Sequence, residues 1–207
     1  MFKKILIVLF GLSLALVLYW AKCQLGLNLI KGFAWEKPFP FLNTLQKRES
    51  ELHPRPGTVL LRSSFDELFP SLPWGELWAR ENGLVVDRLE RSGLRRSRCL
   101  VVNSFSRRDW AIGQGRRIEV FPGEEFSFSG YARTTGEAVA QLSVVTHDGD
   151  RKTVEWHFAL QEARGPNWRR LESRFTVPEG VRFLRFRLTG AGIGEAYFDD
   201  IRFAREK

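Results

Sequence analysis

From Thr58 onward the chain is written in short alternating apolar and polar runs, and that alternation limits what it can fold into more than any motif does. Between the runs stand Gly, Pro, Asp and Asn at intervals of roughly 8 to 12 residues, the pattern of antiparallel strands joined by tight turns. Strands are expected over 58–64, 84–89, 97–105, 116–120, 125–133, 139–146, 153–160, 168–177, 182–189 and 195–203. Pro122-Gly123, Asp148-Gly149, Gly165-Pro166, Pro178 to Gly180 and Gly190 to Gly194 supply the turns, since proline presets φ and glycine accepts positive φ. No useful helical period interrupts this region. The expectation is an all-β antiparallel sandwich over 58–207.

Side chains on successive strand residues point to opposite faces, so alternation also assigns faces. In 125–133, Phe126 and Phe128 share the core face while Ser127, Ser129, Tyr131 and Arg133 share the other. In 182–189, Leu184, Phe186 and Leu188 point inward and Arg185 and Arg187 outward. In 153–160 the same rule sends Val154, Trp156, Phe158 and Leu160 inward and Glu155 and His157 outward.

Ahead of this unit, Ile5 to Ala21 is an uncharged apolar run that follows Lys3 and Lys4. As a helix it would be roughly 26 Å long, the lower limit for crossing a bilayer. Tyr19 and Trp20 suit an interfacial aromatic belt, and Lys22 spoils a small-residue cleavage site,. Residues 1–21 therefore read as an N-terminal transmembrane anchor, with a signal peptide as the alternative. The lysines put the N-terminus in the cytoplasm and the rest outside, a single-pass protein of the cytoplasmic (inner) membrane with an extracytoplasmic domain. Residues 22–57 mix aromatics with prolines, then turn polar, and read as a stalk that Pro54, Pro56 and Gly57 close off,.

The net charge of +8 is carried mainly by arginine, which supplies 24 of the 32 basic residues. Planar guanidinium groups suit carboxylate, phosphate or sulfate partners, although a basic chain beside an anionic membrane is also simply attracted to it. Nucleic acid is a poor reading of this charge, because the domain reads as exported and lacks the helix or sheet motifs of such binders. Cys23 and Cys99 have no metal-type spacing, and a disulfide between them would have to fold the domain back onto the membrane end,.

Five pieces of the sandwich region are more specific. Ser64-Phe65-Asp66 ends the first strand; Trp110 and Gln114 follow the strand that contains Arg98 to Asn103; Pro122-Gly123-Glu124-Glu125-Phe126 opens an aromatic strand. Trp168 precedes Phe175-Thr176-Val177-Pro178, and the chain closes on Tyr197-Phe198-Asp199-Asp200-Ile201-Arg202-Phe203. In this order they resemble the jelly-roll carbohydrate-binding modules of families 4, 9 and 22, within the galactose-binding-like β-sandwiches. Arg62-Ser63 departs from the family's usual Asn-Gly in the first turn.

The resemblance implies a structural calcium ion between the first and last strands, with Asp66 and Asp199 as side-chain ligands. Alternation by itself puts Asp199 on the core face with Tyr197, Ile201 and Phe203, where an ionised carboxylate needs either a cation or several hydrogen-bond donors,. The resemblance also implies sugar binding; alternation puts Tyr131, Arg133, His157, Arg185 and Arg187 on outer faces, where they would line the sheet, and Trp110 would be a stacking platform,. If the arginine strands are neighbours they would make one basic surface for an acidic polysaccharide. No catalytic motif is present in the sequence,. The chain is expected to be a non-catalytic, membrane-anchored module that binds an envelope or exported polysaccharide. The alternative is a protein-interaction subunit of an envelope assembly that uses the same sandwich.

Overall fold

The computed structural model describes residues 53–67, 74–89 and 92–207. The expected anchor and the part of the expected stalk before His53 lie outside these residues. No helix among the described residues is long and apolar enough to cross a membrane.

The strands are β1 (Val59–Ser63), β2 (Trp74–Ala79), β3 (Leu84–Leu89), β4 (Cys99–Ser104), β5 (Trp110–Gln114), β6 (Ile118–Glu119), β7 (Glu125–Thr134), β8 (Val139–His147), β9 (Thr153–Ala163), β10 (Arg169–Thr176), β11 (Phe183–Ala191) and β12 (Gly194–Arg205), with one short 3-10 turn at Leu94–Arg96. They build two antiparallel sheets. Sheet A runs β10-β7-β12-β4-β3 with β1 also paired to β12, and sheet B runs β2-β5-β11-β8-β9 with β6 also paired to β11. The expected all-β sandwich is what the chain forms.

Inward faces meet in one core. Phe186 of β11 bridges the sheets, with ring centroids 5.4 Å from Phe128 of β7 and 5.4 Å from Phe203 of β12. Phe126 stacks on Phe203 at 5.8 Å. Each such pair adds about 0.5–1.5 kcal/mol beyond its buried area. On β7 and β11 the alternation holds as expected: Phe126, Phe128, Leu184, Phe186 and Leu188 are buried, and Ser127, Tyr131, Arg185 and Arg187 are partly exposed.

Elsewhere bulges change the phase. The β8–β9 register shifts at three places, and Ala159 sits at φ 57°. Each extra residue turns the following side chains to the other face. Val154 and Trp156, expected in the core, are therefore 57% and 58% exposed, and Leu160 is exposed as well, while Phe158 still packs edge-on against Phe175. In β12 the register shifts between Asp199 and Arg202, with Asp200 at φ 49°. Before this bulge Phe198 faces the core; after it Ile201 and Phe203 do, while Tyr197 joins a separate cluster with Cys99 and Val101. Asp199 is thus not on the core face with Ile201. It is buried on the outer side of sheet A, beneath the segment that carries Leu94 and Ser97.

Two strands were not expected at all, β2 and β5, and both belong to sheet B. Their tryptophans and glycines look like loop residues in sequence, yet β5 is buried throughout.

Candidate functional site

The solvent side of a two-layer sandwich is normally its polar, exposed side. On sheet B the middle of that side is recessed. Strand pairing places Ser143 opposite Arg187, Val145 opposite Arg185, His147 opposite Phe183 and Ala111 opposite Thr189, all directed away from the core. Ser143, Val145, Thr189 and Ala111 are nevertheless only 0%, 2%, 3% and 4% exposed. Long side chains cover this strip from above.

Arg185 lies across the backbone of β5. Its Nε donates to the Gln114 carbonyl at 2.8 Å, and a Cβ on Gly113 would come within 2.7 Å of the guanidinium. Glycine at 113 is therefore what lets the arginine lie flat. Arg187 leans the other way, toward β9: its Nη2 donates to the Trp156 carbonyl at 3.0 Å, and its Cζ stands 5.3 Å from the Trp156 ring centroid, a cation–π contact,. On the far side Trp78 of β2, 44% exposed, carries Arg80 at 5.6 Å. Two exposed indoles thus flank a recessed polar strip.

Among the described residues, no hydrogen-bond partner is found for three buried atoms of this strip: Ser143 Oγ, His147 Nε2 and Arg187 Nε. An unsatisfied buried polar atom costs about 1–3 kcal/mol, so such groups gather where a binding partner supplies the missing bonds. Burial first, then the charges of Arg117, Arg185 and Arg187, push the His147 imidazole down to about 4. Burial and then Arg185 push Arg187 down to about 10. His157, exposed on β9, is lowered by burial and by Arg187, while Asp109 from the β4–β5 connection acts in the opposite sense. Asp109 itself is held below the usual carboxylate range by Arg80, which grips both its oxygens at 2.5 and 3.0 Å.

No family model matches the chain, and no curated protein matches it by sequence. Solved structures do. The family-22 xylan-binding module CBM22-1 of Paenibacillus barcinonensis Xyn10C superposes with a TM-score of 0.51 at 18% identity, covering 74% of this chain and 98% of that one. The C-terminal family-22 module of Clostridium thermocellum Xyn10B gives 0.52 at 15%, covering 74% and 98%. The fold is that of the carbohydrate-binding jelly rolls. Two larger proteins also contain it: C. thermocellum Xyn10B CBM22-1–GH10 (0.54, 15%) and the tailspike protein 4 of bacteriophage CBA120 (0.51, 14%). The match covers 73% and 69% of this chain but only 29% and 20% of those chains, well under two thirds of their length.

Within the jelly roll the expected site residues divide. Arg185, Arg187 and His157 share the outer side of sheet B. Arg133 and Tyr131 are on β7 and therefore belong to sheet A, so the expected single basic surface does not form. Arg133 is instead held between aromatic rings, its Cζ 3.7 Å from the Tyr197 centroid and 5.3 Å from that of Trp168. Trp110 is not a stacking platform. It is 2% exposed, edge-on to Phe198 at 6.1 Å, and its ring occupies the space that a Cβ on Gly190 would need. The exposed indoles are Trp78 and Trp156, the second of which alternation alone assigns to the core. Ser143, His147 and Gly113 carried no sequence signal beyond a lone histidine and ordinary strand residues.

The residues expected to hold calcium meet the 93–98 segment as hydrogen-bond acceptors. Asp199 Oδ2 accepts from Leu94 N at 2.7 Å and Ser97 Oγ at 2.8 Å, Asp199 Oδ1 accepts from Asp200 N at 2.7 Å, and Asp66 Oδ1 accepts from Arg98 N at 3.0 Å. Burial nonetheless holds the Asp199 carboxyl above its ordinary value, and nearby Asp66 adds to this. Among the described residues no group of three or more His, Cys, Asp or Glu side chains forms a metal-type cluster. Three donors on Asp199 supply the hydrogen-bonding alternative to a cation, and one donor meets Asp66,.

Proposed function

We propose that this protein is a non-catalytic carbohydrate-binding module that holds a polysaccharide along the outer face of sheet B. The observation that carries the reading is the recessed strip itself: unpartnered Ser143 Oγ and His147 Nε2 lie buried on the solvent side of a sheet, with the exposed Trp156 ring at the margin. Sugar hydroxyls can supply bonds to such atoms once the long side chains over them are displaced, and a pyranose face can stack on an indole. Similar jelly rolls in family-22 modules include one named as xylan-binding, which supports a carbohydrate ligand here. The apolar run 5–21 supports a membrane tether that would present the module to an envelope or exported polysaccharide.

Titration calorimetry of the full chain in non-ionic detergent against a panel of soluble polysaccharides tests this. At least one polysaccharide should bind with submillimolar affinity, and Trp156→Ala should weaken it about threefold to tenfold. No binding across the panel, or a Trp156→Ala variant indistinguishable from wild type, would sink the reading.

A further inference from the structure

The side of the sandwich opposite the recessed strip carries a different signal, and that signal is charge. Residues 91–98 hold four arginines, Arg91, Arg95, Arg96 and Arg98, and no acidic residue, so eight residues carry half of the net charge of +8. From Ser92 onward this stretch lies over the outer side of sheet A. Leu94 N and Ser97 Oγ donate to Asp199 of β12, Arg98 N donates to Asp66 Oδ1 at 3.0 Å just beyond β1, and the Ser92 carbonyl accepts from Arg133 of β7. These bonds hold the backbone down on the sheet. Arg95 and Arg96, at φ 58° and 64°, take the left-handed conformation that residues with a Cβ rarely adopt, and both are exposed,. The turn thus presents two adjacent guanidinium groups to solvent.

Arg62 extends the patch. It is exposed on β1 and pairs across from Arg202 of β12, three residues along from Asp199. Among the described residues, Arg62, Arg95 and Arg96 enter no ion pair and no side-chain hydrogen bond. Other charges on this side cancel in pairs: Arg170 lies 2.8 Å from Glu172, Arg174 3.2 Å from Glu125 and Arg202 3.5 Å from Glu206. Exposed Asp66 and Asp200 offset only part of what remains.

The incoming chain joins the body at β1, and β1 belongs to sheet A, whereas the candidate glycan strip is on sheet B and faces the opposite way. Exposed guanidinium groups on two neighbouring segments suit an extended anionic surface, to which each adds attraction without a shaped pocket. Resting on the membrane-tether reading above, we propose that sheet A is the membrane-facing side of this domain. Arg62, Arg95 and Arg96 lie against the phosphate groups of anionic lipids, and the strip of sheet B is turned away from the bilayer.

The test is arginine footprinting with phenylglyoxal, read by mass spectrometry, on the full chain in lipid nanodiscs of phosphatidylcholine alone or with roughly one-third phosphatidylglycerol. Arg107, 76% exposed in the β4–β5 connection at the opposite end of β12 from the chain entry, is the internal reference. At about 0.1 M salt, Arg62, Arg95 and Arg96 should label at least about threefold more slowly relative to Arg107 on the anionic discs, and the difference should vanish at about 1 M salt, where the screening length is roughly 3 Å. Arg202, on the same side, should be protected in wild type and lose that protection in Arg62→Gln/Arg95→Gln/Arg96→Gln. Equal labelling on the two discs, protection of Arg107 as large as that of Arg95 and Arg96, or Arg202 protection that survives the triple variant would overturn the proposal and leave the tether standing. A chain that separates from both kinds of disc would overturn the tether and the proposal together. Sodium polygalacturonate that protects the same arginines on neutral discs as strongly as anionic lipid does would assign the patch to an acidic polymer and overturn the lipid surface as its partner.

Discussion

His147 shows what a recessed position does to one side chain. It is 6% exposed, its Nδ1 meets Thr153 Oγ1 at 3.5 Å, and Arg117, Arg185 and Arg187 all oppose a positive charge on it. Its folded value of about 4 lies below the ordinary histidine value near 6.5,. Between those values the unfolded chain binds a proton that the folded chain refuses, so this residue lowers stability as pH falls from about 6.5 toward 4 and has no such effect above 6.5. The full effect is on the order of 3 kcal/mol. Urea unfolding at pH 7, 6, 5 and 4.5 should show wild type losing stability faster than His147→Gln on the acid side, with the two profiles parallel above pH 7. Parallel profiles throughout would mean that His147 is not held neutral by its surroundings.

At the scale of strands, the regular ones were legible and the irregular ones were not. β7 and β11 keep strict alternation, so the faces of Phe126, Arg133, Phe186 and Arg187 could be read directly from the residues. A bulge leaves no mark in composition: the register shift between Glu155 and Phe158 leaves Trp156 out of the core, and the shift at Asp200, an ordinary residue at positive φ, leaves Asp199 off it. β5 was hidden because Trp110 and Gly113 resemble loop residues, and with it went the bed of Arg185. Which outer strands are neighbours is a property of topology, which is why Arg133 could be grouped with Arg185 in sequence and lie on the other sheet in the fold. The Asp199 bulge has its own consequence. With Leu94 N, Ser97 Oγ and Asp200 N on its oxygens, Asp199 fastens the 93–98 segment to β12. Melting in excess EDTA should therefore match melting in calcium, and Ser97→Ala should cost about 1–2 kcal/mol by removing one charge-assisted bond. A melting temperature that falls on chelation and returns with calcium would restore the ion expected from the resemblance.

At the scale of the whole molecule, the body is closed where the chain comes in. β1 pairs with β12, Gly57 N donates to Arg205 O at 3.0 Å, and Arg205 N donates to Thr58 O at 3.0 Å, so the segment that leads into β1 is stitched to the last strand. The Arg205 side chain completes the closure from within. It is 10% exposed, donates to the Pro54 carbonyl, lies 2.8 Å from His53 Nε2 and pairs at 2.9 Å with Glu124, also 10% exposed, in the turn before β7. Glu124 in turn accepts from Phe121 N at 3.1 Å. Three regions far apart in sequence thus share one buried ion pair: the start of the domain, the β6–β7 turn and the C-terminal strand. Burying both charges is itself costly, so the pair's weight should appear when one partner is removed and not when both are. Arg205→Met, which leaves buried Glu124 with the His53 imidazole at 2.9 Å and Phe121 N but without its guanidinium, is expected to cost about 3 kcal/mol,. Glu124→Met should cost a similar amount, and the double variant much less than the sum, a coupling of at least about 1 kcal/mol in a double-mutant cycle measured by urea unfolding. Costs that simply add would show that the segment before β1 is held by backbone pairing with β12 alone.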